Sequence, residues 1–94
     1  MLRLNCFISV AADKRDEAIA LATELTEASR KEAGCIAYDI FCSATRPDVL
    51  LICETWADEA ALEAHTLTEH YKRLAVDGLR SIAQLKGEIF PFGK

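Results

Sequence analysis

The residue types that could do chemistry gather in one stretch, CETWADEAALEAHTLTEHYKR, at residues 53–73. It contains the single Trp of the chain and both of its histidines, Trp56, His65 and His70. An imidazole titrates near neutral pH and is the natural proton acceptor for acid–base chemistry. Glu54 precedes Trp56 by two residues, so on a strand both side chains point to the same side. The stretch therefore offers an aromatic plane, a carboxylate and two bases.

Each of these residues also has an interpretation without chemistry. A Trp at the end of a strand is core or dimer interface more often than a substrate platform. His65 could be a core histidine bonded to a backbone carbonyl, and His70 could simply be exposed beside Tyr71. Glu54 could pair with Arg3 or another cation across a sheet. These alternatives remain open from the residues alone.

Other chemistries have weaker signals in the sequence. His65 and His70 are five residues apart, which on a continuous helix turns them ~140° around the axis and off a common face. No third ligand is evident, so the sequence predicts no metal site. No serine lies in a nucleophile-elbow context, and the four isolated glycines form no phosphate loop. Acid–base catalysis and ligand binding are the functions that remain as candidates.

Composition restricts the class of protein. Ninety-four residues, 51% of them hydrophobic and 28% charged, indicate one globular domain over residues 1–94. A net charge of −4 with scattered Lys and Arg argues against nucleic-acid binding. No apolar run approaches the ~18 residues of a membrane-spanning helix, so no membrane partner is expected. Four cysteines without CxxC spacing are expected to be reduced and mostly buried in a cytoplasmic protein.

Alternating and helical periodicities predict the elements that must position these residues. Period-2 or apolar runs predict strands at residues 2–10, 36–43, 49–56 and 85–92. A helix is predicted over 14–33, with Gly34 as its C-terminal cap. Asp58 is predicted to cap a short helix with His65 on its inner side, and a longer helix follows the interruption at 66–68. The order predicts a ferredoxin-like α+β fold, β-α-β-β-α-β, with a four-stranded antiparallel sheet under two helices.

In such a fold the helices cover one face of the sheet, and the other face stays open. Residues 49–53 are apolar without alternation, which suggests burial on both faces. We assign to the open face the residues Leu50, Ile52, Glu54 and Trp56, together with Asn5, Phe7 and Ser9 of the first strand. An apolar patch of that size usually marks an interface or a groove. The open face is therefore expected to pack on a second copy, to line a ligand pocket, or both.

Two segments, EAGCIAYDIF at 32–41 and CETWADEAALEAHTLTEHYKRL at 53–74, resemble the antibiotic biosynthesis monooxygenase family, especially its small quinol-monooxygenase-like members. The family pattern is E-x-W, an acidic helix start, A-L-x-x-H and T-x-H-[FY]. Here it is matched by Glu54, Trp56, Asp58, Ala61, Leu62, His65, Thr68, Glu69, His70 and Tyr71. The resemblance extends over essentially the whole chain.

The resemblance implies a homodimeric α+β barrel in which two sheets face each other. It further implies that a small aromatic quinol or polyketide-like substrate is oxidised by O2 without metal, flavin or haem. On this basis His65 is the expected base or hydrogen-bond partner, and Asn5 is expected to orient a substrate oxygen. The expected substrate-binding residues are Trp56, Phe7, Glu54, His70 and Tyr71.

Two other branches of the superfamily, and one class without catalysis, remain as alternatives. Haem-degrading relatives use an Asn, which Asn5 could match, but His65 and Ala75 depart from their Trp and haem-ligating His. Isomerases of a phosphorylated signalling sugar share the segment HTLTEHY, although the basic residues nearby are limited to Lys72 and Arg73. A dimeric module that binds a small ligand without turnover is the third alternative.

Overall fold

The computed structural model describes residues 1–93 and contains one antiparallel sheet with helices on one side. The strands are β1 Leu2–Val10, β2 Cys35–Cys42, β3 Val49–Trp56 and β4 Ala83–Pro91. The helical elements are a 3₁₀ turn at Ala12–Lys14, α1 Arg15–Ser29, α2 Glu59–Thr66, a π-helix Tyr71–Leu79 and α3 Arg80–Ile82. The sheet order is β2-β3-β1-β4. The predicted ferredoxin-like α+β fold is confirmed.

A single apolar core lies between the helices and one face of the sheet. Ala18, Ala22 and Leu25 reach it from α1, and Leu74 and Leu79 reach it from the π-helix. Each of these side chains is at most 2% exposed. Full burial of such a side chain contributes roughly 1.5–3 kcal/mol for the larger apolar residues. Helices of this length are only marginally stable by themselves, so packing of their apolar side chains on the sheet is what stabilises them.

The end of α1 differs from the prediction. The helix ends at Ser29, and Gly34 lies five residues beyond it without a positive φ, so Gly34 is not its C-terminal cap. The glycine is instead required by a close approach. A Cβ placed on Gly34 would collide with Cβ of Ala61 in α2. Only a residue without a side chain lets this loop lie directly against α2.

The start and end of α2 follow the prediction. Asp58 has an extended backbone, and its Oδ1 accepts a hydrogen bond from the backbone N–H of Ala61 at 2.8 Å. After Thr66 the chain breaks from the helix, and Thr68 bridges the break. Its hydroxyl donates to the carbonyl of His65 at 2.7 Å and accepts from the N–H of Tyr71 at 3.2 Å. This turn changes the helix direction between His65 and His70.

The second long helix has wide, i→i+5 geometry over Tyr71–Leu79, where the sequence predicted an ordinary helix. The N–H of Arg80 still bonds to the carbonyl of Ala75, five residues back. Such π segments are rare in proteins, and those that do occur are often found at functional sites. Within residues 1–93, no helix combines the length and the apolar character needed to cross a membrane.

The assignment of β3 residues to the open face is wrong. Residues directly opposite in an antiparallel pair point to the same side, and β1 pairs Leu4 with Glu54 and Phe7 with Leu51. Glu54 therefore shares the helix-covered face with Leu4, whereas Phe7 lies on the uncovered face. The residues Leu50, Ile52, Glu54 and Trp56 are at most 5% exposed because the helices cover them.

The uncovered face of the sheet nevertheless exposes aromatic rings, among polar residues such as Arg3, Asn5 and Lys86. Phe7, Phe41 and Phe90 lie on it with 39%, 50% and 42% of their surface exposed. Strands β1, β2 and β4 contribute one ring each, and Leu51 of β3 lies between Phe7 and Phe41 in the register. Apolar side chains are thus exposed on this face, but of the apolar residues assigned to it only Phe7 lies there.

The four cysteines are free thiols. Cys6, Cys35 and Cys53 are half-buried and Cys42 is exposed at the end of β2, whereas most of the four were expected to be buried. Burial raises the pKa of the Cys6 thiol to about 11, with the nearby Glu54 adding to the effect. Cys6 is therefore a protonated, unreactive side chain at neutral pH.

Candidate active site

A cavity of about 180 Å³ lies between the helix-covered face of the sheet and the helices. Its wall is mostly apolar and includes Leu4, Cys6, Leu62, Ala75 and Leu79. Six polar side chains also line it: Tyr38, Glu54, His65, Thr66, Tyr71 and Arg80. An apolar cavity with a few convergent polar groups is the usual form of a small-molecule site. The cavity is on the opposite side of the sheet from the open face on which the sequence analysis placed it.

Glu54 is the carboxylate of this cavity. Its side chain projects from β3 and is 5% exposed, and its Oε1 accepts a hydrogen bond from Trp56 Nε1 at 2.8 Å. Burial raises the pKa of this carboxyl to about 7, although hydrogen bonds from Trp56 and Tyr38 act in the opposite direction. Both protonation states of Glu54 are therefore populated near neutral pH.

The possible pairing of Glu54 with Arg3 is not formed. Arg3 lies on the uncovered face, where its Nε donates to Thr55 Oγ1 at 2.9 Å and its guanidinium lies 4.6 Å from the ring centre of Phe92. Glu54 thus lacks a cation at hydrogen-bond distance among the described residues, and this leaves desolvation as the dominant influence on its pKa.

Trp56 lies behind the cavity wall rather than in it. The side chain is fully buried, and its ring centre is 4.5 Å from that of His65, with the planes tilted by 38°. Tyr38 approaches the indole edge-on at 6.3 Å. The indole therefore fixes the orientation of Glu54 through its N–H and that of His65 through its ring. It has no exposed surface on which a ligand ring could stack.

The two histidines meet at Glu32, in the turn after α1. His65 Nδ1 and His70 Nε2 each lie 2.7 Å from the same carboxylate oxygen, Glu32 Oε2. The side chains are 2%, 20% and 14% exposed for His65, His70 and Glu32, respectively. The divergence expected for a continuous helix does not apply, because the turn at Thr68 separates the two histidines into two helical segments.

The Glu32 contact fixes the protonation pattern of His65. Because the carboxylate accepts from Nδ1–H, Nε2 is the ring nitrogen that carries the free lone pair in the neutral imidazole. Burial lowers the pKa of His65, against the opposing effect of the Glu32 carboxylate. His65 therefore reaches the cavity as a neutral base, and Glu32 is placed to stabilise the imidazolium that would form when it accepts a proton.

Two tyrosines complete the polar lining. Tyr38 of β2 is 3% exposed, and burial together with the charge of Glu54 raises the pKa of its hydroxyl well above the usual value. It stays protonated and can only act as a neutral hydrogen-bonding group. Tyr71, at the start of the π-helix, has its ring centre 5.1 Å from that of His65 in an edge-on arrangement.

Of the residues selected from the sequence, Glu54, His65 and Tyr71 reach the cavity, and His70 joins through Glu32. Asn5 and Phe7 do not, because they face the other side of the sheet. Asn5 Nδ2 lies 3.4 Å from Glu88 Oε1 of β4 there.

Two polar residues at or next to the cavity, Glu32 and Tyr38, were not among those selected from the sequence. Both belong to the segment EAGCIAYDIF, in which the acidic residue at the start and the aromatic residue in the strand were the available signals.

Comparison with known proteins gives consistent matches. The family model "Antibiotic biosynthesis monooxygenase" matches residues 1–76. "Putative monooxygenase YcnE" of Bacillus subtilis (strain 168) is 33% identical over 83% of this chain and 82% of its own. A conserved Bacteroides thetaiotaomicron VPI-5482 protein of solved structure is 47% identical, with a TM-score of 0.94 over 97% of this chain and 96% of its own. A crystal structure of an antibiotic biosynthesis monooxygenase is 31% identical, with a TM-score of 0.86 over 100% of this chain and 98% of its own.

Proposed function

Because the chain belongs to the antibiotic biosynthesis monooxygenase family, we propose that it is a cofactor-independent monooxygenase that oxidises a small aromatic quinol with O2. The observation that carries the proposal is the convergence of Glu54 and His65 on one largely apolar cavity. Acid–base catalysis needs such groups within reach of a bound phenol, with pKa values near the working pH. The two side chains come from different elements, β3 and α2, and approach the same volume.

The size of the cavity supports a substrate with one ring. A cavity of ~150 Å³ lined by apolar side chains accommodates benzene, and this one measures about 180 Å³. A hydroxylated benzene ring fills that space, whereas a rigid tricyclic polyketide does not. A monocyclic quinol is therefore the preferred substrate class, and larger polyketides would require the helices to move.

His65 is proposed to start the reaction by accepting a phenolic proton at Nε2. The resulting imidazolium is stabilised by Glu32 at Nδ1, 2.7 Å away. His70 binds the same carboxylate oxygen from the partly exposed side. This arrangement orients the imidazole and lets the positive charge form next to a negative one, as the carboxylate of a catalytic triad does.

Glu54 is proposed to hold the substrate anion as a hydrogen-bond donor. A phenolate beside this carboxyl would repel its ionised form, so substrate deprotonation keeps Glu54 protonated. The neutral carboxyl can then donate to the phenolate oxygen while Oε1 still accepts from Trp56. A carboxylic acid kept neutral in an apolar site is an effective donor of this kind.

The phenolate then supplies the electrons for oxygen. One electron passes to O2, the resulting ring radical and superoxide combine to form a C–O bond, and the peroxide anion takes back the proton held by His65 to give a hydroperoxide. Loss of water from the hydroperoxide gives a hydroxyquinone. Overall, a hydroquinone and one O2 yield one hydroxyquinone and one water, so the four electrons come from the ring and no external reductant is needed. The apolar wall excludes bulk water from these intermediates.

The test of this function is oxygen uptake by the purified protein with a panel of monocyclic quinols. Uptake above the autoxidation background is expected, and His65→Ala should lower it at least about 100-fold, the usual contribution of a positioned base. Glu17→Gln is a matched surface control because its side chain is exposed on α1. Turnover unchanged by His65→Ala, or no uptake with any quinol, would contradict the proposal.

The role of Glu54 is tested separately. Glu54→Gln keeps a permanent donor and should retain activity while losing the decline in kcat/KM above about pH 7 that ionisation of Glu54 causes in the wild type. Glu54→Ala should lose activity at all pH values. Among the described residues, Glu32 is the group whose charge raises the pKa of this carboxyl further.

The sugar-phosphate isomerase alternative has less support. Arg73, one of the two candidate phosphate ligands, is exposed and bound at 2.8 Å to both Glu24 and Glu69 on the surface. Neither Arg73 nor Lys72 lines the cavity, and Arg80, which does, would be a single cation for a phosphate group. A binding module without turnover would be indicated by saturable quinol binding in calorimetry together with no oxygen consumption.

We also propose that the chain forms a homodimer through the uncovered face of the sheet. The support is the group of apolar side chains Phe7, Leu51 and Phe41, adjacent in the register, which no helix of the described chain covers. In that dimer Asn5 and Phe7 contact the partner subunit instead of the substrate. Light scattering should give twice the mass of the chain, and Phe7→Asp should yield a monomer. A monomeric wild type would contradict this.

A further inference from the structure

The side chains of Glu32, His65 and His70 could bind a metal ion in addition to their role in the proposed reaction. It presents two imidazole nitrogens and one carboxylate oxygen, and these ligand atoms all lie within 4.8 Å of one another. Three such ligands, with a further position open, are the donor set of catalytic zinc sites, and two histidines with one carboxylate also bind non-haem Fe(II). We propose that Glu32, His65 and His70 form a binding site for one divalent transition-metal ion, with Zn²⁺ or Fe²⁺ as the class of ion.

The two nitrogen–oxygen distances are close to those that a bound ion would require, and the two nitrogens lie within 4.8 Å of each other. Ligands ~2.0–2.2 Å from one metal ion at octahedral or tetrahedral angles are roughly 3.0–3.4 Å from each other. Both nitrogens are now 2.7 Å from Glu32 Oε2. On binding, each nitrogen–oxygen distance would lengthen by a few tenths of an ångström, and side-chain rotations would bring the two nitrogens to a similar separation. An ion would replace the two protons that now lie between Glu32 Oε2 and the ring nitrogens of His65 and His70.

The ligands are also held in place by the fold. His65 is packed against Trp56 at 4.5 Å between ring centres. Glu32 lies in a turn in which its N–H donates to the carbonyl of Ser29 at 3.0 Å and its carbonyl accepts from Cys35 N–H at 3.1 Å. A preformed site loses less conformational entropy on binding than three mobile side chains would. The partial exposure of His70 and Glu32 provides a path for entry of the ion.

The ligand types select the class of ion. Imidazole nitrogens suit Zn, Fe, Ni and Cu, whereas Mg²⁺ and Ca²⁺ prefer sites made of oxygen atoms. A single carboxylate in the set also keeps the charge of the occupied site low. The proposed ion is therefore a transition metal, and Mg²⁺ at the same concentration should not compete with it.

Occupation of the site has a consequence for His65 that rests on the proposed function. A metal at Nδ1 places the ring proton of the neutral imidazole on Nε2, so the nitrogen that would accept the phenolic proton becomes a donor. The metal-bound form should therefore be inhibited in quinol oxidation. Metal binding itself does not depend on that function, so the two statements can fail separately.

The experiment is calorimetric titration of chelator-treated protein with Zn²⁺, followed by Co²⁺, whose visible absorption reports the coordination geometry. One ion per chain is expected to bind. Glu32→Gln and His70→Gln should each weaken binding at least ~10-fold, since even indirect partners of a metal ligand contribute 10- to 100-fold. Glu63→Gln, an exposed position on α2, is the matched control and should bind as the wild type does.

Cys35 needs its own control because it is a half-buried thiol near Glu32. Cys35→Ser should keep full affinity if the ion is bound by the two histidines and the carboxylate. The inference is overturned if the wild type shows no binding, if Glu32→Gln and His70→Gln bind as tightly as the wild type, or if only Cys35→Ser loses affinity. His70 is partly exposed, so His70→Gln is expected to fold, and its thermal unfolding transition checks this.

Discussion

Replacement of Glu54 by Gln should stabilise the protein above pH 7 and leave its stability almost unchanged at and below pH 4.5. The carboxyl of Glu54 has its pKa raised from 4.5 to about 7 in the folded protein, chiefly because it is buried. At low pH the group is protonated in both the folded and the unfolded chain. Gln has nearly the same shape, and its amide oxygen can still accept from Trp56 Nε1.

The size and sign of the effect follow from proton linkage. Between pH 4.5 and about 7 the unfolded chain loses its proton before the folded chain does, so the free energy of unfolding of the wild type falls as the pH rises. Above about pH 7 the loss is complete. The gap between 4.5 and about 7, at ~1.36 kcal/mol per pH unit, corresponds to about 3 kcal/mol. Glu54→Gln should recover up to that amount.

Urea unfolding of both proteins at a series of pH values from 4.5 to about 8 measures this difference. The lowered pKa of His65 destabilises both proteins as the pH falls below its ordinary value of 6.5, so it cancels in the comparison. Glu63→Gln, at an exposed position on α2, serves as the control variant for loss of a carboxylate. A Glu54→Gln effect that is the same at both ends of the pH series would refute the claim that burial of this carboxyl destabilises the protein.

Three further predictions concern the fold. Asp58→Ala should lower the free energy of unfolding by about 1 kcal/mol through loss of the α2 cap, and Asp58→Asn should retain most of it, as chemical denaturation would show. Gly34→Ala should be destabilising because of its collision with Ala61, and adding Ala61→Gly should recover part of the loss; additive effects in the double-mutant cycle would argue against this contact. In mass spectrometry a maleimide should label exposed Cys42 rapidly and Cys6 very slowly, and equal rates would contradict the burial assigned to Cys6.

Local pattern was enough where neighbours in the sequence decide the structure. The bounds of β1 and β3 were predicted correctly because their side-chain pattern is read within a few residues. The same holds for Asp58, whose cap contact is to a residue three positions away. The end of α1 was predicted wrongly because Gly34 was taken as its cap. Gly34 is needed instead for the close contact with Ala61 of α2, and the sequence around a glycine does not indicate a contact with a distant residue.

The faces of β3 could not be assigned from its own sequence. Residues 49–53 are apolar on both sides, so alternation gives no direction, and the pairing with β1 decides which side is covered by the helices. Two consequences follow. Glu54 lies in a buried cavity under the helices, and Asn5 and Phe7 lie on the other face.

The sequence by itself determined the order and type of most elements, the family, and the chemical groups of the candidate site, Glu54, His65 and His70. Only the tertiary structure decided that Glu32 joins both histidines, across 33 and 38 residues of chain, and that Glu54 has its pKa near 7. The physical reason is range. Periodicity and capping depend on neighbours within a turn or a few strand residues, whereas desolvation and shared hydrogen bonds depend on whatever the fold brings within a few ångströms.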